Sequence, residues 1–267
     1  MQTTALSLEH LKLLGFVVPP GAEPHSCISG VKAEGTISYY GPYQKLVHEK
    51  LEGLSREIAD SLIPADSILS EDFPTMIQER LLAFLLIASS DSMTHTPNNT
   101  SACWFTIRMT HPDAIFQIPR WHQDGRMFDI DPDSPGLRSK YATTLLGPTT
   151  LFFDLPNTAE MTEYLTFSDV AKPLAEANDW TRSQLSETEA ENLQFRGIVA
   201  GFFAERHYKP VPIEPNQVVR FSWGHNHSPV HSEPDISGGD RVFISLLLGS
   251  EAEIKRMAQF RGTAYET

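Results

Sequence analysis

The stretch ACWFTIRMTHPDAIFQIPRWHQDG, residues 102–125, decides how the rest of the chain is read. Its first nine residues, ACWFTIRMT (102–110), are rich in aromatic and β-branched side chains and predict a strand. AIFQIPRW (114–121) predicts a second one. His122 and Asp124 follow at positions i and i+2, so along a strand they project to the same face, and Gly125 lets the chain turn directly afterwards. An imidazole and a carboxylate placed in this way suit a metal ion, although such a pair also arises often by chance.

Upstream of this stretch the texture is helical. From Pro42 to Leu62, Leu46, Val47, Leu51, Leu54, Ile58 and Leu62 recur at helical spacing. A broadly apolar run over 73–89 predicts a second, well-buried helix. The first forty residues are rich in Gly, Pro, Ser and Ala and predict loops draped over the domain. Downstream, strands are expected at YATTLLG (141–147), TTLFFD (149–154), NQVVRFSWG (216–224), near SPVH (228–231) and at RVFISLLLG (241–249). A polar, helical insert occupies about 158–200, and an amphipathic helix, Glu251 to Phe260, closes the chain. Helices first, then many short strands with one interruption, predict an α+β protein on a β-sandwich or barrel. A parallel βαβ sheet is disfavoured, because helices do not alternate with strands and no Gly-rich phosphate loop follows a strand.

The 267 residues are 40% hydrophobic, enough for one sizeable core. A single domain over 1–267 is expected: helical support in 1–100, a core in 101–249 carrying the insert, and the last helix in 250–267. The net charge of −13 disfavours general nucleic-acid binding, which calls for a basic face. Cys27 and Cys103 are far apart and neither sits in a Cys-x-x-Cys pair, so a thiolate metal site is not expected. The N-terminal sequence lacks the basic and apolar regions of a secretion signal, and no apolar run approaches the length of a membrane span. A cytoplasmic protein with a small-molecule substrate and no membrane partner is the expectation, with the oligomeric state open.

The second informative segment is Trp223-Gly224-His225-Asn226-His227-Ser228-Pro229-Val230-His231. A histidine here would complete a two-His, one-carboxylate set, which covers one face of an iron(II) ion and leaves the other open. His231 is favoured over His227, because it follows Pro229-Val230 in an expected strand whereas His227 falls in a turn; His227 stays an alternative. Arg241 lies ten residues beyond His231, across the turn-rich loop SEPDISGGD. An antiparallel neighbour would bring its guanidinium beside the metal, where its planar fork suits the far carboxylate of a dicarboxylate ligand.

The ordered set His122-x-Asp124, His231 and Arg241 resembles the iron(II)/2-oxoglutarate-dependent oxygenases over about 115–249. The resemblance implies a double-stranded β-helix (a jelly-roll, cupin-like core) with N-terminal helices and a helical insert. It implies Fe(II) on His122, Asp124 and His231, with 2-oxoglutarate anchored by Arg241 and contacted by Ser245 and Thr144, and O2 as the oxidant. The implied reaction is oxidation, by default hydroxylation, of an unactivated C–H bond of a small metabolite or amino-acid-like substrate, with release of succinate and CO2. Arg126, Lys140, Trp223 and His227 are the expected substrate contacts. Leu247, six residues after Arg241, departs from the second Arg typical of the nucleic-acid demethylases in this superfamily. The rival reading is a cupin-like metal-binding protein or Zn-dependent hydrolase, which would keep the triad and have no need of Arg241.

Overall fold

The computed structural model describes residues 11–17, 31, 33–62, 73–95, 101–113, 117, 119–124, 138–153, 196–197, 199–223 and 228–267. The chain combines helices with antiparallel sheet, an α+β fold. Eight strands are described: β1 (Leu11–Phe16), β2 (Gly35–Pro42), β3 (Ala102–Thr110), β4 (Arg138–Leu146), β5 (Leu151–Phe152), β6 (Gln217–Trp223), β7 (His231–Ser232) and β8 (Arg241–Gly249). Six form one antiparallel sheet in the order β1-β6-β4-β8-β3-β2, and β5 pairs with β7 in a smaller one.

Alternation along the large sheet sorts its side chains into two faces. On the outer face, Phe105 and Ile107 of β3 and Ile244 and Leu246 of β8 are buried in the main core. That core is closed by helices. A helical turn, α1 (Tyr43–Lys45), runs through a π-helical turn at Leu46–Lys50 into α2 (Leu51–Ser61), and α3 (Phe73–His95) packs beside it. Along α3 the fully buried residues Ile77, Leu81, Phe84, Leu85 and Ala88 recur at three- and four-residue spacing, one stripe toward the sheet. Each large apolar side chain so buried contributes roughly 1.5–3 kcal/mol. An ion pair reinforces the seam: Arg220 of β6 donates to Asp91 of α3 at 3.2 Å, and Tyr141 of β4 donates to the same carboxylate oxygen. Helix α4 (Glu251–Phe260) is started by a capping box between Ser250 and Glu253 and buries Ile254 and Met257 against Tyr40 and Leu247.

The inner face is polar and carries Trp104, Thr106 and Arg108 of β3, Lys140 of β4, and Arg241, Phe243 and Ser245 of β8. The small sheet lies opposite. His122 joins it through a bridge to His231, and Phe153 through a bridge to Pro210. Here too, neighbouring residues point in opposite directions. Trp121, Phe153 and Val230 pack outward on Val199, Phe202 and Phe203 of a helical segment across 199–205, while Phe152 and His231 line the space between the sheets.

Several expectations are corrected. The first hundred residues are not only helical support with loops: β1 and β2 are strands, and β2 pairs with β3 over its whole length. The strand expected over 114–121 is absent among the described residues there; Gln117 and 119–121 are irregular, and pairing begins only at His122. Pro112 and Pro119 have no N–H to give to a ladder, which explains the interruption. β5 is two residues long rather than six. The second helix runs on to His95, beyond its expected end at Ser89. Of the insert at about 158–200, only 196–197 and 199–200 are described, and they are helical; Cys27 also lies outside the described residues.

Candidate metal centre and its cavity

His122 and His231 face each other across the smaller sheet. Each backbone N–H donates to the other's carbonyl, both at 2.9 Å, which locks the two residues into register. Their rings lie 4.3 Å apart between centroids. Each ring is fixed from behind by the same local device: Nδ1 of His122 lies 2.8 Å from the Arg120 carbonyl, and Nδ1 of His231 lies 2.9 Å from the Pro229 carbonyl. A carbonyl oxygen only accepts, so in both rings Nδ1 carries the proton and Nε2 presents its lone pair.

Those two lone pairs point at Asp124. Its Oδ1 lies 3.8 Å from Nε2 of His122 and 3.6 Å from Nε2 of His231. Three acceptors thus converge, with ligand atoms within 4.8 Å of one another, and nothing in the trio can donate to the others. The cluster repels itself unless a cation sits among its members, so this donor set fits a divalent metal of the type that takes two imidazoles and a carboxylate. Burial, then the neighbouring His231, lowers the pKa of His122 from 6.5 to about 4, so the ring is neutral at pH 7. Burial alone would raise the carboxyl of Asp124, but Lys140 and the two imidazoles outweigh it and hold it well below the usual range.

Lys140 reaches Asp124 from β4. Its ammonium donates to Oδ2 at 2.6 Å, leaving Oδ1 to face the histidines. Ser228 secures the same segment to the distal strand: its hydroxyl accepts from the Asp124 N–H at 3.0 Å, and its carbonyl accepts from the Gln123 side chain at 2.7 Å. Sequence reasoning missed Ser228 and Gln123. Their only signal was adjacency to the ligand residues.

The triad lines a cavity of about 380 Å³, within the range of small-molecule sites. Phe152 and Phe221 wrap His231, with ring centroids at 5.3 and 5.2 Å. Arg241 enters from the first position of β8. It is 2% exposed, donates through Nε to the Pro148 carbonyl at 3.1 Å and through Nη2 to the Thr150 hydroxyl at 2.6 Å, and lies over the Phe243 ring. Among the described residues no carboxylate lies within ion-pair distance of it. Burial lowers its pKa from 12.5 to about 10, and it still carries its charge at pH 7.

Of the other expected contacts, Ser245 and Trp223 line the cavity. Thr144 does not; it sits in a separate small void behind Thr150 and Phe243. Arg126 and His227 lie outside the described residues, so the choice of distal histidine rests on the placement of His231 alone. Sequence reasoning missed one cluster entirely. Arg108 and Arg120 both donate to Oε1 of Glu233, at 3.2 and 2.6 Å, on the cavity wall, and Arg120, with His122 behind it, holds that carboxyl down to about 2 against the effect of burial.

No protein-family model matches the chain, and no curated protein does. Among solved structures it is similar to a Pseudomonas putida prolyl-4-hydroxylase, at 12% identity over 82% of this chain and 86% of that one, with a TM-score of 0.35. It is also similar to a dioxygenase for auxin oxidation in rice, at 10% identity over 94% of this chain and 73% of that one, with a TM-score of 0.38. Likeness at this level carries no weight for the fold or the chemistry, which rest on the geometry of this chain.

Proposed function

We propose that this chain is an iron(II)- and 2-oxoglutarate-dependent oxygenase that oxidises a small molecule, built on a double-stranded β-helix. One observation carries the reading: a two-His, one-carboxylate cluster and a buried arginine with no carboxylate within ion-pair distance among the described residues share a single cavity. A metal-binding module or hydrolase would need the first and gain nothing from the second, since a buried unpaired guanidinium is a standing cost. A dicarboxylate that reaches from the metal to Arg241 answers both.

In this reading His122, Asp124 and His231 hold the iron, Arg241 anchors the far carboxylate of 2-oxoglutarate, and Ser245, on the same face of β8, contacts the cosubstrate. Bound iron with 2-oxoglutarate and O2 supplies the oxidising power, with succinate and CO2 as the products of the cosubstrate. The residues of the chain do the rest. The Arg120 and Pro229 carbonyls orient the imidazoles, Lys140 keeps Asp124 turned so that one oxygen faces the metal position, and Phe152 and Phe221 keep water from His231. Hydroxylation of a C–H bond is the expected outcome.

The test is an anaerobic titration of metal-free protein with Fe(II) and then 2-oxoglutarate, followed by visible absorption. A charge-transfer band that needs both additions and is lost in Arg241→Met supports the reading. Iron binding without the band points to a metal protein of another kind, and failure to bind metal sinks the proposal.

A further inference from the structure

The half of the cavity away from the triad is built from the inner faces of β2 and β3. Thr36 pairs in register with Arg108, and Ser38 with Thr106, so these four side chains make one polar floor, with Trp104 next along the same face. Two donors on this floor are spare. The Thr106 hydroxyl and the Trp104 indole N–H are buried and have no hydrogen-bond partner among the described residues, and Thr106 as a whole is only 8% exposed. An indole N–H can only donate, so whatever satisfies it must bring an acceptor.

The charges point the same way. Arg108 and Arg120 share the single carboxylate of Glu233. Arg261 lies over the Trp104 ring at 4.9 Å and has no acidic partner among the described residues. Three guanidiniums against one carboxylate leave a net positive charge at the mouth of this half, where all three arginines are exposed, in a chain whose net charge is −13. None of these groups belongs to the proposed metal or cosubstrate set. Lys140 joins the two halves: its ammonium, 2.6 Å from Asp124, is 5.5 Å from the centre of the Trp104 ring. A molecule lying on Trp104 is therefore beside the metal position.

Resting on the oxygenase reading, we propose that this half is the primary-substrate subsite and that it selects a small organic acid. The carboxylate of the substrate is held by Arg108 and the Thr106 hydroxyl, and its carbon skeleton lies on Trp104. A neutral molecule of the same shape would forgo the charge-assisted contact to Arg108.

The test is isothermal titration of the protein with two matched pairs, benzoate against benzamide and hexanoate against hexanamide. It is run on metal-free protein and again after anaerobic loading with Fe(II) and 2-oxoglutarate. Each acid is expected to bind tighter than its amide by roughly tenfold to a hundredfold, the range of one charge-assisted contact. Arg108→Gln and Thr106→Val should each shrink that preference without moving the affinity for 2-oxoglutarate. Equal binding of acid and amide, no binding of either, or an acid preference that survives Arg108→Gln and vanishes in Arg241→Met would overturn the subsite. An acid preference that depends on Arg108, in protein that never forms the iron–2-oxoglutarate band, supports the subsite while removing the oxygenase reading.

Discussion

Replacing Arg241 with Met should make the metal-free protein more stable and the cosubstrate site worse. The guanidinium is 2% exposed and has no carboxylate within ion-pair distance among the described residues, Glu233 acting on it only from farther off. Its pKa is lowered by burial from 12.5 to about 10, which corresponds to roughly 3 kcal/mol against the charged form. Two hydrogen bonds, to the Pro148 carbonyl and the Thr150 hydroxyl, return part of the burial cost, at about 1 kcal/mol each. Methionine keeps much of the side-chain length and its packing on Phe243 while removing the charge. The net gain for the metal-free protein is about 1–2 kcal/mol, a rise in Tm of roughly 2–6 °C for a domain of this size. Because a base with a depressed folded pKa is penalised wherever it stays protonated, the gain should be constant below about pH 9 and shrink only as the pH rises from 10 toward 12.5. The same substitution should weaken 2-oxoglutarate binding by about a hundredfold or more, since it removes two charge-assisted contacts of roughly 1.5–3 kcal/mol each. Urea denaturation of metal-free protein and the anaerobic cosubstrate titration read the two effects separately. A variant that is clearly less stable and binds 2-oxoglutarate as before would show that Arg241 is a structural residue, and the cosubstrate assignment would fall.

Lys140→Met should bind a divalent metal at least as tightly as the parent, because a cation next to the metal position is gone, while 2-oxoglutarate binding to the loaded protein weakens as Asp124 loses its fixed orientation. Mn(II) titration followed by electron paramagnetic resonance checks this; a large loss of metal affinity would mean that Lys140 only supports the fold. The low pKa of His122, about 4, means that protons do not compete for its Nε2 until the pH nears that value, so its contribution to metal affinity should stay level from pH 8 to about 5. The unfolded chain takes up that proton near 6.5, so the stability of the metal-free protein should fall between pH 6.5 and 4; a denaturation series across that window that stays flat would contradict the burial of the ring. Gly147 has φ +81°, and a Cβ there would meet the Asp240 carbonyl at 2.3 Å. Gly147→Ala should therefore cost on the order of 1–3 kcal/mol and, by displacing the adjoining Pro148 carbonyl from Arg241, loosen 2-oxoglutarate as well. A variant with unchanged melting temperature and cosubstrate affinity would refute that link.

What could be read from the sequence was whatever local pattern determines by itself. The 241–249 strand and the closing helix over 251–260 were placed at their observed limits, because alternation in one and a Ser250–Glu253 cap in the other are written into neighbouring residues. Ser245, which the resemblance pointed to, lies four residues past Arg241 on the same strand face and lines the cavity. Thr144, also carried over from the resemblance, lines a small void with Thr149, Thr150 and Phe152 instead of the cavity, which position along a strand does not reveal. β2 was missed although Thr36, Ile37, Tyr39 and Tyr40 favour a strand, because it lies in a Gly- and Pro-rich region and gains its order from pairing with β3 across more than sixty residues. The Arg108–Glu233–Arg120 cluster was out of reach for the same reason. Its members meet only through tertiary structure, and no spacing rule connects a residue of β3 with one that follows β7.

The two histidines also show how much of the order of the site is built into the backbone around them. Each ring is held by the carbonyl two residues before it, so its tautomer and its angle are settled within its own short segment. The segments are then fixed to each other by the reciprocal backbone pair at 2.9 Å, with Trp121, Phe153 and Val230 packed behind them on Phe203 and its neighbours. Asp124 is the member held by side chains rather than by a sheet, through Lys140 on one oxygen and through its own N–H on Ser228. Adjustment on loading should therefore fall on the carboxylate, and the histidine pair should act as the fixed reference against which metal and cosubstrate are placed.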